Sequence, residues 1–170
     1  SPFHRVTDNQ RHCLMTDEAF IQRAIEIARD AKRRGELPFG AVLVRPDGEI
    51  ALEERDRVVE FRDPTWHAET HIVKQACQHY GPDLSGYTLY TTCEPCAMCF
   101  TTAWLAGVSR IVTGTSMLDV RIKSGGVQDE MPITMQTMNQ AGKNRIELTD
   151  GVLAEQCLAL FDDADFTPLR

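Results

Sequence analysis

Two short motifs hold the side chains best suited to chemistry. The first is His-Ala-Glu, with His67 and Glu69, and the second is Pro-Cys-x-x-Cys, with Cys96 and Cys99. One imidazole and two thiolates can hold a zinc ion and leave a fourth coordination position for water, as catalytic zinc sites do. A zinc-activated water needs a group that moves its protons, and Glu69 has the chemistry for that role. We therefore expect one Zn2+ per chain, with a catalytic water, held by His67, Cys96 and Cys99.

The spacing within each motif limits where the site can lie. Cys96 and Cys99 are three residues apart, so they would share one face of a helix. Pro95 suits the start of that helix, where the positive end of the helix dipole favours thiolates. His67 is expected in the first turn of a second helix. Residues i and i+2 point apart along a helix, so His67 and Glu69 can serve one site only if that site lies over the helix end.

Hydrophobic periodicity and turn residues predict the elements that position these motifs. The first motif helix follows a loop from Asp56 to Thr65, and the second follows directly after a strand. The segment 115–144 is the least regular part of the chain, and a long segment of this kind often forms an active-site wall or lid. The predicted helices lie between Thr16 and Gly35 and at 64–80, 95–106, 132–139 and 152–161, and the strands lie at 40–44, 49–52, 87–92, 110–114 and 145–148.

This order of elements predicts an α/β fold, a three-layer α/β/α sandwich with a central mixed five-stranded sheet. Pro46-Asp47-Gly48 would turn the first two strands into a hairpin, and a helical crossover should make strands 87–92 and 110–114 parallel. The length of 170 residues predicts a single domain. Within it, residues 1–15 are expected to form an N-terminal extension, and residues 150–170 a C-terminal helix and possible lid.

Composition and charge narrow the class of protein. The chain is 42% hydrophobic and 25% charged, as is usual for a globular domain. It has no apolar run near the ~18 residues of a membrane helix, and its first residues lack a signal-peptide layout, so we expect a cytoplasmic protein with no membrane contact. A net charge of −7 disfavours a nucleic-acid partner, because phosphate contacts usually require a basic face.

The cysteines suit metal binding better than disulfides, because three of the six lie close together at 93, 96 and 99. Cys93-x-x-Cys96-x-x-Cys99 also imitates part of a ferredoxin-type iron–sulfur motif. The Cys-Pro that would complete that motif is replaced by Ala103-Trp104. An iron–sulfur protein is therefore a weak alternative, and Cys93 is expected to be a core residue at a strand end.

The paired motifs resemble the cytidine deaminase-like superfamily, and within it guanine deaminases, yeast-type cytosine deaminases and tRNA adenosine deaminases. The signature H-x-E followed by P-C-x-x-C is typical of zinc-dependent base deaminases, in which the Glu is an acid/base and not a ligand. The resemblance implies a homodimer, and a hydrolytic deaminase with Glu69 as proton shuttle. The residues that carry the resemblance are Pro38-Phe39-Gly40-Ala41-Val42, Asp63-Pro64-Thr65, His67-Ala68-Glu69 and Glu94-Pro95-Cys96-Ala97-Met98-Cys99.

The resemblance also implies a set of substrate-binding positions. Asp56 stands where relatives have an Asn that contacts the base, and Trp66 stands where they commonly have Ala. An ionised Asp only accepts hydrogen bonds, so a substrate that meets Asp56 should offer N–H donors. Trp66 would narrow the pocket or supply a stacking face. The implied positions are Phe39, Asp56, Trp66, Ala68, Glu94 and, in the C-terminal lid, Asp165 and Phe166.

Two substrate classes fit these residues. Deamination of a free nucleobase or related small amino-heterocycle, of guanine or cytosine type, is the preferred hypothesis. The alternative is a tRNA wobble-adenosine deaminase, because residues 144–157 resemble the closing segment of that family. Against it, residues 119–126 replace that family's Gly-Ala-Ala-Gly stretch, and residues 150–170 hold five acids and one base. A non-catalytic zinc protein is the weakest alternative, because Glu69 is present.

Overall fold

A central sheet and the helices that cover it form the protein, whose computed structural model describes residues 15–167. The five strands run in the order β2-β1-β3-β4-β5. The strands are β1 (Gly40–Val44), β2 (Ile50–Arg55), β3 (Thr88–Cys93), β4 (Arg110–Thr115) and β5 (Glu147–Thr149). The helices are α1 (Asp17–Arg33), α2 (Val58–Phe61), α3 (Ala68–Tyr80), α4 (Ala97–Leu105), α5 (Met117–Lys123), α6 (Met135–Ala141) and α7 (Ala154–Ala159).

The sheet is mixed, as predicted. Strand β1 pairs antiparallel with both β2 and β3, so the β1–β2 hairpin is confirmed. Strand β3 pairs parallel with β4, which pairs parallel with β5. The β3–β4 connection passes through α4, and such a crossover is what parallel neighbours require.

Two apolar clusters place helices on both faces of the sheet. Successive residues of a strand point to opposite faces, so Leu43 and Leu89 belong to one cluster and Val42 and Tyr90 to the other. Buried residues of α3, α4 and α6 pack in the first cluster, and those of α1, α5 and α7 pack in the second. The three-layer α/β/α sandwich is therefore confirmed.

Helix α1 lies unusually close to β1. Thr16 caps this helix by accepting a 3.2 Å hydrogen bond from the Ala19 amide. A Cβ atom at Gly40 would lie 2.3 Å from the Ala24 carbonyl oxygen and 2.8 Å from the Ala28 nitrogen. Glycine at position 40 is thus what allows α1 to approach β1 so closely.

Two short helices were not predicted from the sequence. Helix α2 lies within a segment expected to be a loop, and contacts from elsewhere in the chain hold it. The Glu36 carboxylate accepts hydrogen bonds from the amides of Val59 and Glu60 at 2.9 and 2.7 Å. The expectation of irregular structure was also wrong for α5, which Ser116 caps by accepting from the Asp119 amide. The seven residues of α5 are too few to show a clear helical period, although four of them are apolar.

No helix within residues 15–167 is long and apolar enough to cross a membrane. The predicted N-terminal extension lies almost wholly outside the described residues, since only Met15 of it is described. The last predicted helix, at 152–161, is observed as Ala154–Ala159. Cysteines 77, 93, 96, 99 and 157 are free thiols.

Candidate active site

The starts of two helices bring three metal-binding side chains together. His67 is the N-cap residue of α3, Cys96 is the N-cap residue of α4, and Cys99 lies in the first turn of α4. The Nδ1 atom of His67 lies 3.6 Å from both the Cys96 and the Cys99 sulfur. All three ligand atoms lie within 4.8 Å of one another. These residues are therefore positioned to bind one metal ion.

The geometry and chemistry of this triad fit zinc. Tetrahedral coordination with Zn–S near ~2.3 Å and Zn–N near ~2.0–2.1 Å places sulfur and nitrogen about 3.6 Å apart. The Thr70 hydroxyl also donates to the Cys99 sulfur, at 3.2 Å. A hydrogen bond with Cys99 and the neighbouring His67 lower the pKa of Cys96 to about 4. Together they outweigh burial, which would raise this pKa. Cys96 is thus a ready thiolate, the form in which cysteine binds metal.

Glu69 reaches the same point because His67 is not itself helical. His67 has φ −70° and ψ 145°, an extended conformation, so the i and i+2 side chains need not point apart. Glu69 is 4% exposed, and its Oε1 lies 2.8 Å from the Thr91 hydroxyl. The Cys99 thiol lies 3.6 Å from the other oxygen, Oε2. Burial raises the pKa of Glu69, which suits a group that accepts and then releases a proton.

Thr91 is a site residue that the sequence reading missed. It lies on β3, two residues before Cys93, and its side chain is buried beside Glu69. Its hydroxyl lies within hydrogen-bond distance of two acceptors, the Cys93 carbonyl oxygen at 3.0 Å and Glu69 Oε1. A threonine in a β-rich strand is normally taken as a strand former, so this role left no distinct signal in the sequence.

A cavity of about 180 Å3 lies next to the triad and Glu69. Its walls come from the residue before β1, the residue after β2, the two motif segments and the stretch between β4 and α6. Predicted site residues in the lining are Phe39, Asp56, His67, Glu69, Glu94 and Cys96. Residues not predicted to line it are Cys93, Met117, Leu118, Val120, Arg121, Gln128, Glu130, Pro132 and Thr134. The segment 115–144 thus supplies one wall, as its length indicated.

Glu94 holds that wall through its side chain. One carboxylate oxygen accepts a hydrogen bond from the Met117 amide at 3.2 Å, and the other accepts from the Met135 amide at 3.0 Å. Its own amide donates to the Thr115 carbonyl at 2.8 Å. Met117 begins α5 and Met135 begins α6. The residue beside the Pro-Cys-x-x-Cys motif therefore ties both ends of the wall to the zinc site, in addition to lining the cavity.

Asp56 faces the cavity at the end of β2. It is 4% exposed, and its Oδ1 accepts a 3.0 Å hydrogen bond from the Val58 amide. Burial raises the pKa of Asp56 to about 7, and this bond only partly opposes the effect. Burial likewise raises the pKa of Glu130, in the wall formed by segment 115–144, to about 7. Two carboxyl groups in one small cavity therefore hold their protons more tightly than usual.

Four of the implied substrate positions lie outside the cavity lining. Trp66 stacks on His71, with ring centroids 3.4 Å apart, and on Phe61, so its rings pack on aromatic neighbours and not on the cavity. Ala68 is fully buried in the core. Asp165 is exposed and bonds the Thr167 amide, while Phe166 stacks on Phe161 at 6.3 Å. Each stacking partner lies five residues away in sequence, next to a helix boundary, where helical periodicity gives no signal.

Cys93 behaves as the core residue that the sequence indicated. It is 3% exposed at the end of β3, and burial raises the pKa of its thiol. It is not a member of the metal-binding group formed by His67, Cys96 and Cys99. Because the Cys93 sulfur lies outside that group, the geometry favours zinc over an iron–sulfur cluster, which would need it as a ligand.

Comparison with known proteins identifies the family. Residues 14–115 match the cytidine and deoxycytidylate deaminase zinc-binding region. The chain belongs to this family. Deaminases of this family hydrolyse C–N bonds and hold zinc through one His and two Cys, the donor set found here. The resemblance carried by the two motifs is thus confirmed, as are the zinc cofactor and the hydrolytic deaminase activity.

Similar deaminases act on two different kinds of substrate. The chain is 35% identical over 155 residues to the tRNA-specific adenosine deaminase of Bacillus subtilis, covering 91% of each. It is also 42% identical over 87 residues to the guanine deaminase of the same organism, covering 50% of this chain and 55% of that one. Sequence similarity alone therefore leaves both substrate classes open.

Solved deaminase structures show the same division. A guanine deaminase from Nitrosomonas europaea superimposes with a TM-score of 0.76 and 25% identity, over 87% of this chain and 84% of that one. A tRNA:A34 deaminase superimposes with a TM-score of 0.63 and 28% identity, over 83% and 97%. Both support the deaminase fold.

Proposed function

We propose that this deaminase acts on a free nucleobase or a related small amino-heterocycle of guanine or cytosine type. The observation that carries the proposal is the charge of the cavity. Four carboxylates line it, and Arg121 is the one Lys or Arg among its lining residues. Arg121 is itself paired with Asp129 at 3.0 Å. A nucleic-acid substrate would call for free cations near its phosphates, and the cavity wall offers none. The four carboxylates are Asp56, Glu69, Glu94 and Glu130.

The size and apolar surface of the cavity also support a small planar substrate. Its volume of about 180 Å3 lies below the ~300 Å3 at which pockets for drug-sized ligands begin. Phe39, Met117 and Val120 offer apolar surface on which a flat ring can lie. The polar groups then set the orientation of the ring, as in most sites for small molecules.

The reaction replaces an amino group by an oxygen atom. The oxygen of water forms a bond to the ring carbon, the bond from that carbon to the amino nitrogen breaks, and ammonia leaves. Zinc bound by His67, Cys96 and Cys99 would supply the positive charge that makes water acidic enough to react near neutral pH.

Glu69 is assigned the proton transfers. Its Oε2 lies on the side of the metal-binding sulfurs, where it can accept a proton from the attacking water and pass it to a ring nitrogen. The second water proton follows to the amino nitrogen, so that ammonia departs uncharged. Thr91 holds Oε1 and so leaves Oε2 free to face the substrate.

A tRNA wobble-adenosine deaminase is the second candidate. The observation in its favour is the similarity to the Bacillus subtilis enzyme over 91% of both chains. Against it, Lys123, a basic residue of α5, is already paired with Asp162 and so is not free to bind a phosphate of the RNA. For either substrate we expect a homodimer, which light scattering would reveal as twice the mass of one chain.

Ammonia release by zinc-loaded protein tests the proposal. The panel holds guanine, cytosine, adenine, isocytosine, 2,6-diaminopurine, 2,4-diaminopyrimidine and an anticodon stem-loop RNA. Turnover of a free base is expected from the wild type and lost in Glu69→Gln, while zinc content stays the same. Glu155→Gln, an exposed change of the same kind, serves as the control. Ammonia release from the RNA alone would refute the choice of substrate, and full activity of Glu69→Gln would refute the assigned role.

A further inference from the structure

Asp56 presents a buried hydrogen-bond acceptor to the cavity. Its amide donates to the Phe39 carbonyl at 3.1 Å, which fixes its backbone beside the pocket. Its Oδ1 accepts from the Val58 amide at 3.0 Å. Within residues 15–167, no hydrogen bond engages Oδ2, although the side chain is almost fully buried and lines the cavity. A carboxylate oxygen that faces a cavity without a protein donor is an acceptor that a ligand N–H can satisfy.

The wall formed by segment 115–144 also holds hydrogen-bond acceptors. The Gln128 side-chain nitrogen donates to Glu130 at 3.0 Å, which uses one Glu130 oxygen and turns the amide group of Gln128 to a set orientation. The amide oxygen of Gln128 is buried and has no partner among the described residues. Both residues line the cavity. Glu130 therefore repeats the pattern of Asp56, since only one of its two oxygens accepts a hydrogen bond from the described residues.

Donor side chains in the lining are already engaged. The Thr134 hydroxyl lies 3.0 Å from the Thr137 hydroxyl, and Arg121 pairs with Asp129. Burial in the cavity raises the pKa of Asp56 and of Glu130 to about 7, and the one hydrogen bond that each accepts only partly opposes this effect. Above that pH both groups are mainly ionised and only accept hydrogen bonds. The missing N–H groups must then come from the substrate.

We infer that the substrate is a diamino-heterocycle, in which one amino group leaves as ammonia and the other donates a hydrogen bond to Asp56. Asp56 is thus a specificity-determining residue, and Glu130 accepts from a further N–H group of the ring. The inference rests on the proposed function, because it assumes that a free base enters the cavity. If an oxo group replaced the second amino group, the oxo oxygen and the Asp56 carboxylate would face each other as two acceptors without a hydrogen bond. Buried sites reject such mismatches strongly.

The inference is tested with pairs of bases that differ in one ring substituent, which is an amino group in one member and an oxo group in the other. One pair is 2,6-diaminopurine and guanine, and another is 2,4-diaminopyrimidine and isocytosine. Turnover is measured as kcat/KM for the wild type, and affinity is measured by calorimetry with zinc-loaded Glu69→Gln, which holds the base without converting it. We expect the diamino member of each pair to be favoured by roughly tenfold or more in both measurements, as for a hydrogen bond to a charged group.

Asp56→Asn is the decisive variant, because Asn has nearly the same shape and can still accept from the Val58 amide. Its amide nitrogen would donate to an oxo group, so the preference should fall by about tenfold or reverse. Asp119→Asn removes the same charge from an exposed position on α5 and should keep the wild-type preference.

The outcomes separate the inference from the proposed function. Turnover of free bases with equal or better use of the oxo members, unchanged in Asp56→Asn, would overturn the inference and leave the proposed function standing. Deamination of the stem-loop RNA with no binding of any free base would overturn both. Failure to bind or convert any member of the panel would also overturn both.

Discussion

Replacing Glu94 by Gln should loosen the wall of the cavity without removing the zinc ligands. The two Glu94 oxygens accept hydrogen bonds from the first amides of α5 and α6. Gln has only one oxygen, and its NH2 group would face the second amide, which also donates. One of the two bonds is therefore lost, and an amide at a helix start loses its partner.

The size of this effect follows from the charge and the burial of the bond. An unsatisfied buried amide costs about 1–3 kcal/mol, and loss of a negative charge from a helix N-terminus adds about 0.3–1 kcal/mol. We expect the free energy of unfolding to fall by about 2 kcal/mol, which for a chain of this length lowers Tm by about 4–8 °C. The same cost would raise local opening of the wall about 30-fold.

Hydrogen exchange measured by mass spectrometry reports this opening directly. Peptides that contain Met117 and Met135 should exchange about 10- to 30-fold faster in Glu94→Gln, whereas peptides of α1 should keep their wild-type rates. KM should rise more than kcat falls, because the wall holds the substrate and Glu69 is untouched. Glu155→Gln, which is exposed, should match the wild type in all three measurements. Unchanged exchange at Met117 and Met135 would refute the role given to Glu94.

Three further predictions concern the other parts of the site. Thr91→Val removes the hydroxyl that bonds Glu69 Oε1. Steady-state kinetics should then show kcat about 10- to 100-fold lower with little change in KM. An unchanged kcat would contradict the role of Thr91 in orienting Glu69. Chelation of zinc should lower Tm and abolish ammonia release, and added Zn2+ should restore both, because a metal that binds only the folded state stabilises it; a Tm insensitive to both would count against the metal site. The pKa of Asp56 is about 7 when folded and near its ordinary value of 3.8 when unfolded, so its contribution to stability is lost as pH rises towards 7. Asp56→Asn in zinc-free protein should therefore gain Tm over the wild type between pH 5 and 7, and a constant difference would argue against the burial of this charge.

The ligands of the zinc site could be predicted because their order in the chain defines them. His67, Cys96 and Cys99 belong to motifs whose combined spacing fits a three-ligand zinc site better than an iron–sulfur cluster, and each motif lies at a helix start that the turn residues predict. The requirement that the site lie over the helix end was also readable, since His67 and Glu69 differ by two positions. The structure meets that requirement by keeping His67 extended at the N-cap position.

The rest of the site depends on contacts between distant parts of the chain. Glu130 and Gln128 reach the cavity because Glu94 holds both ends of their segment, a contact made across 41 positions for Met135. Thr91 meets Glu69 because a strand and a helix lie side by side in the folded protein. Trp66, by contrast, was expected in the pocket because relatives have Ala at that position, but it stacks on His71, five residues along the chain. Sequence patterns report periodicity along the chain and cannot report contacts such as those of Glu94 and Thr91.

A direct competition between substrates tests the central claim most sharply. Zinc-loaded protein is given a mixture of free bases and the anticodon stem-loop RNA in one reaction, and mass spectrometry follows both the oxo products and inosine. The carboxylate-lined cavity predicts conversion of a free base while the adenosine of the RNA stays intact. Conversion of the RNA adenosine with all free bases unchanged would contradict the account.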